Sequence, residues 1–218
     1  MKKLVLAVLV VGLFIISGCS SGYMTLSQDS IDQFNPIGIE IIASSQLYDN
    51  KDLMLRDFVI KTGGTYLSSL FQEKGFQVVQ LNSIIPYEKV FKKYLGSFFI
   101  DEKIAAQYAK KQGCKTVLIV YYAYAIPNPV IVYPKELNIK LEEKSDINIY
   151  GNCSLYGFLV NANDAKILTN SHSMLSSFKK YLQIYKDEIL NTDVTSVKDV
   201  YKEFIIKITE LMFANKTI

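Results

Sequence analysis

His172, the one histidine in this 218-residue chain, lies between Ser171 and Ser173. A serine beside an imidazole could support nucleophilic catalysis, but that chemistry needs a hydroxyl on a strained turn and a carboxylate behind the ring. No G-x-S-x-G occurs, and neighbours along a strand point to opposite faces, so no catalytic residue is assigned. Glu142-Glu143 and Asp187-Glu188 are adjacent carboxylates, which alternate on a strand and diverge on a helix. They read as solvated charge, not as an acid–base pair. A single histidine with three cysteines falls short of the clustered ligands of a zinc site. No metal and no cofactor is expected. Arg56 is the only arginine among 24 basic residues. The forked contacts that read phosphate and guanine rely on arginine, so nucleic acid is not an expected partner.

Chemistry of another kind is written at Cys19. Lys2 and Lys3 precede an uncharged, almost wholly apolar run from Leu4 to Ile16, too short to span a bilayer and of the length of a signal-peptide core. Ile16-Ser17-Gly18-Cys19 then resembles the bacterial lipoprotein signal, the lipobox. The resemblance implies removal of residues 1–18 and a diacylglycerol thioether on Cys19, with a fatty acyl group on its new amine. Two or three chains hold a protein on a bilayer where one would not. Ser20 after the cysteine implies sorting to the outer membrane, with the domain facing the periplasm. Residues 19–36 are polar and form a tether. The net charge of +3 changes with processing: losing Lys2 and Lys3 leaves 22 basic against 21 acidic side chains. The mature protein is close to neutral, and its charge names no anionic partner.

The rest, residues 37–218, reads as one α/β (α+β) domain with a single mixed sheet and helices packed on it. Ile37–Ala43 suits a first strand, Leu55–Phe71 repeats apolar residues at helical spacing, and Gly75 stops that helix. The Gly63-Gly64 pair marks a kink or a close contact within it. Phe76–Leu81 forms a second strand. A helix follows around Tyr87–Tyr94, then a clearer one from Asp101, its cap, to Gln112. Lys115–Tyr124 is nearly all apolar, as a central strand covered on both faces would be. Asn148–Val160 and Ala165–Ser173 are the arms of a hairpin turned by Asn161-Ala162-Asn163-Asp164. Val194–Met212 is a long amphipathic helix. The order is β-α-β-α-β, a β-hairpin and a C-terminal helix. Lys92-Lys93, Lys110-Lys111 and Lys179-Lys180 read as exposed helix positions. Cys114 and Cys153 lie near the starts of two strands. An antiparallel pairing would hold them at opposite ends of the ladder, which favours two buried free thiols over a disulfide.

Two passages carry a resemblance. Ile104–Ala123, IAAQYAKKQGCKTVLIVYYA, and Leu155–Ser171, LYGFLVNANDAKILTNS, resemble the helix–strand and hairpin passages of an envelope-lipoprotein group. That group includes the CsgG-type secretion lipoproteins, the LpoB-type activators of peptidoglycan synthases and the N-terminal domain of TolB. Its hairpin glycine is replaced here by Asp164-Ala165. The likeness implies an α/β sheet with packed helices.

Fifteen tyrosines make up much of the aromatic content. Most of those in the sheet read as core, but YYAYAIPNPVIVY (Tyr121–Tyr133) also reads as an apolar, proline-stiffened edge. On that reading Tyr121, Tyr122, Tyr124, Ile131 and Tyr133 form an interface, since tyrosine is enriched where proteins meet and an open edge invites strand addition. The expected function is that of a non-enzymatic accessory or assembly factor, held at the outer membrane by its lipid and binding other envelope proteins. A lipid-anchored module for a small molecule or glycan is the alternative, and an envelope hydrolase is a weaker one. A homo-oligomer is left open.

Overall fold

The computed structural model describes residues 31–45, 53–81, 87–94, 97–125, 144–185 and 195–213. In chain order the elements are α1 (Ile31–Phe34), β1 (Ile37–Ser45), α2 (Leu53–Glu73), β2 (Val78–Gln80), α3 (Tyr87–Val90) and β3 (Phe91–Tyr94). They continue with β4 (Ser97–Ile100), α4 (Glu102–Lys111), β5 (Thr116–Ala125), β6 (Lys144–Asn161), β7 (Ile167–Tyr185) and α5 (Thr195–Phe213).

Period-two alternation divides the apolar residues between two cores. In β1, Ile37, Ile39, Ile41 and Ala43 enter the first core and Ile42 the second. In β5, Leu118, Val120, Tyr122 and Tyr124 enter the first, and Val117, Ile119, Tyr121 and Ala123 the second. The main sheet runs β2-β1-β5-β6-β7. β2 and β5 lie parallel to β1, while β6 is antiparallel to β5 and β7 to β6. Each face is covered. Val59, Leu67 and Phe71 of α2 join Phe204, Ile205, Ile208 and Met212 of α5 over the first face. Ala105, Ala106 and Ala109 of α4 join Phe91 and Ile100 of a small β3–β4 hairpin over the second. The fold is thus mixed α+β, with one five-stranded sheet and a second two-stranded one. No helix among the described residues is long and apolar enough to cross a membrane.

The local signals act as physical chemistry requires. Asp101 accepts a hydrogen bond from the Ile104 amide at 3.2 Å and so caps α4. Gly75 and Gly113 take the left-handed backbone (φ +90° and +74°) that ends α2 and α4. Gly63 is a close contact. A Cβ there would lie 2.7 Å from Tyr122 Oη, so α2 reaches β5 only as glycine.

Ile31–Phe34, read from the sequence as part of the tether, forms α1 against the first core, and the structure departs from the sequence reading in three further places. Tyr87–Tyr94 is one helical turn followed by β3, which pairs antiparallel with β4. Phe91, Phe98 and Ile100 make this hairpin a lid on the second core, and that tertiary burial overrides helical spacing. The main hairpin is longer than expected at both ends, from Lys144 and to Tyr185. Lys92-Lys93 and Lys179-Lys180 accordingly stand on strands, and only Lys110-Lys111 on a helix.

Candidate functional site

The tyrosines assigned to an exposed edge are core residues. Tyr121, Tyr122 and Tyr124 are each at most 4% exposed, because β5 has a strand on either side and covering layers above and below. That corrects the interface reading for these three. Ile131, Tyr133, Cys19, Glu142-Glu143 and Asp187-Glu188 lie outside the described residues.

Tyr122 Oη sits 2.8 Å from Thr209 Oγ1, and the threonine hydroxyl donates to the Ile205 carbonyl at 2.6 Å. Thr209 has one proton, so Tyr122 donates in this pair. Burial pushes the Tyr122 phenol far above its ordinary pKa. Tyr121 faces the other way, into a row of rings. Its centroid is 4.7 Å from Phe98, Phe98 is 4.8 Å from Tyr156, and Tyr156 stacks on His172 at 4.3 Å and 16°. Strand register builds the row, since Tyr121 pairs with Tyr156 and Tyr156 with His172.

His172 therefore ends an aromatic row and holds no serine. Ser171 and Ser173 project to the opposite face of β7, where Ser171 is buried. Desolvation lowers the His172 pKa, which favours the neutral imidazole. Cys114 and Cys153 are both buried and free, as expected of strands paired antiparallel. Cys153 lies opposite Tyr124, whereas Cys114 lies ten residues back along the chain from Tyr124, roughly 34 Å if extended. Burial raises the pKa of both thiols.

Besides Phe99 on β4 and Leu211 on α5, the large exposed apolar groups among the described residues lie one or two strands further out, on the β6–β7 hairpin. β7 is 19 residues long and is the last strand of the sheet. Met174 is 62% exposed, Tyr181 57% and Tyr150 46%, and Lys179 Nζ lies 5.4 Å over the Tyr150 ring. A bulge separates the Cys153–Leu175 rung from the Gly151–Phe178 rung and gives β7 one extra residue. Bulges bend a strand and raise its twist. Helix α5 braces the hairpin there. Phe178 meets Phe204 at 5.1 Å, Lys180 pairs with Glu203 at 3.0 Å, and Gly151 leaves the room that Phe204 occupies. The sequence signal for this strand was faint, since SSFKKYLQIY lacks clean alternation. Among the described residues no group of three or more His, Cys, Asp or Glu could hold a metal ion.

No protein-family model matches this chain, and no curated protein matches it by sequence. Solved structures similar to it include a putative neuraminyllactose-binding hemagglutinin homolog from Helicobacter pylori, 14% identical over 88% of this chain and 92% of that one, with a TM-score of 0.43. The PelC dodecamer of Paraburkholderia phytofirmans is 9% identical over 88% and 94%, with a TM-score of 0.40. Lipoprotein GNA1162 of Neisseria meningitidis is 11% identical over 76% and 97%, with a TM-score of 0.35. Bacterial lipoproteins are thus among the structures it is distantly similar to.

Proposed function

We propose that this chain is a lipid-anchored protein of the bacterial envelope, which faces the periplasm from the outer membrane and acts without catalysis by docking another envelope protein. Ile16-Ser17-Gly18-Cys19 supports the anchor. The observation that carries the docking role is β7, a 19-residue strand with which the main sheet ends. Among the described residues no strand pairs with its outer edge, which leaves backbone hydrogen bonds for an added strand, and Met174 and Tyr181 flank that edge with apolar surface. Aromatic and methionine side chains are enriched at the centres of such interfaces.

The test is co-purification from detergent-solubilised membranes with Met174→Asp and Tyr181→Asp. Both positions are more than half exposed, so the variants keep the fold and the thermal midpoint. Loss of a co-purifying envelope protein from both supports the docking edge. An unchanged set of partners refutes it.

A further inference from the structure

One end of the molecule gathers the start of the described chain and a group of lysines. Ile31 contacts Gly75 at the end of α2. Lys115 Nζ donates to the Asp32 carbonyl at 3.2 Å, Thr116 Oγ1 donates to the Phe34 carbonyl at 2.8 Å, and the Gln77 amide donates to Asn35 Oδ1 at 2.9 Å. The β6–β7 turn joins the same end, with the Ala162 amide bonded to the Lys115 carbonyl at 2.8 Å and Lys110 Nζ to the Asn163 carbonyl at 3.1 Å. The chain thus enters the domain at a fixed pole.

Among the described residues, Lys74, Lys110, Lys111, Lys115 and Lys166 are exposed there, against Asp32, Glu73 and Asp164, a formal balance of five to three. Lys166 pairs with Asp164 at 3.7 Å. Lys110 and Lys115 bond neutral carbonyls, and Lys111 lies 5.5 Å over the Tyr108 ring, so those charges are not cancelled by their partners. Ile167 and Leu168, each 39% exposed, add apolar surface beside Lys166.

Eleven residues, 20–30, separate Cys19 from Ile31. Fully extended they let Ile31 stand at most roughly 40 Å from the acylated cysteine. We propose that this lysine pole docks on the anionic lipid headgroups of the anchoring membrane and so sets the orientation of the sheet. The inference rests on the lipid-anchor reading and adds to it which end meets the bilayer. A tether alone holds the domain near the surface in any orientation. The pole is the end nearest the anchor, it carries net positive charge, and anionic headgroups attract lysines close to the surface. Each such lysine changes partitioning about fivefold, so three of them together change it about a hundredfold.

The chain has no tryptophan, so one introduced indole reports alone. Ile167→Trp places it at the pole and Met174→Trp places it outside the pole, on β7. The full chain, processed in cells, is reconstituted in phosphatidylcholine vesicles with or without phosphatidylglycerol and a headgroup nitroxide quencher. Intact mass first reads the acyl groups on Cys19. Docking predicts quenching of the Ile167→Trp indole in the anionic vesicles, little in the neutral ones, and little from Met174→Trp in either. Lys110→Glu with Lys111→Glu should abolish it. So should high salt, which cuts the screening length from about 8 Å to about 3 Å. Equal quenching in both lipids, or at both positions, or none on an acylated protein, overturns the pole alone. An unacylated Cys19 overturns the anchor reading and the pole with it.

Discussion

Adjacent glycines in α2 should respond to alanine with opposite signs. Gly63 and Gly64 share one helical environment, and in a helix interior alanine is better than glycine by about 1 kcal/mol. Their surroundings differ. A Cβ at Gly64 meets only Ile41 Cγ1 at 3.5 Å, an ordinary contact. A Cβ at Gly63 would lie 2.7, 2.9 and 3.1 Å from Tyr122 Oη, Cζ and Cε2. That ring is fully buried and its hydroxyl is bonded to Thr209, so it cannot swing aside without losing the bond. Overpacking of this kind costs about 1–3 kcal/mol and the lost hydrogen bond about 1 kcal/mol more. After the helical gain, Gly63→Ala should destabilise by about 1–3 kcal/mol, and Gly64→Ala should stabilise by about 0.5–1 kcal/mol. Urea denaturation of each variant, followed by circular dichroism, reads both numbers. Tyr122→Phe adds a control, because removing Oη leaves less to overlap and should shrink the penalty of Gly63→Ala. Equal stabilisation by both alanines would refute the packing of α2 on β5.

Three further predictions concern local features. Asp101→Ala removes the α4 cap and should cost about 1 kcal/mol in the same denaturation assay, while Asp101→Asn keeps most of it. The Ile104 amide, and then Lys92, hold the Asp101 pKa below its ordinary value of 3.8. Its contribution is therefore present above that pH and fades as the pH falls through the folded value, a dependence that Asp101→Asn should remove. Ala165 takes φ +56° in the β6–β7 turn, so Ala165→Gly should raise stability by about 0.5–1 kcal/mol, read as an increase in Tm. Desolvation and the bond to Glu210 push the Tyr66 phenol up to about 12. Its bond is intact below the unfolded pKa near 10 and is lost as the pH rises through about 12. Alkaline melts of Tyr66→Phe should therefore be flatter across that window than those of the parent.

Where burial follows period, the fold was legible in the sequence. β1, α2, α4, β5 and α5 each bury one stripe, or both faces, and each stands where its apolar residues recur. Capping and stop signals at Asp101, Gly75 and Gly113 added boundaries. The β3–β4 hairpin escaped because FKKY and SFFI are too short for a period, and their pairing depends on a core contributed from elsewhere in the chain. The candidate surface was displaced for a related reason. Tyr121, Tyr122 and Tyr124 have the side chains of an interface, but sheet order makes β5 central, and sheet order is a long-range property. The exposed strand is β7, whose stretch from Ser176 to Lys180, polar but for the buried Phe178, carries a bulge that breaks its alternation. At Cys19 the reading rests on sequence alone: Ile16-Ser17-Gly18-Cys19 resembles a lipobox, and these residues lie outside the described ones.

The docking role of the β7 edge is tested most directly by photo-crosslinking in intact cells from Met174, with Gln107 on the exposed side of α4 as the control position. The account predicts a discrete adduct with an envelope protein from Met174 and none from Gln107. No adduct from Met174, or the same adducts from both positions, would contradict it.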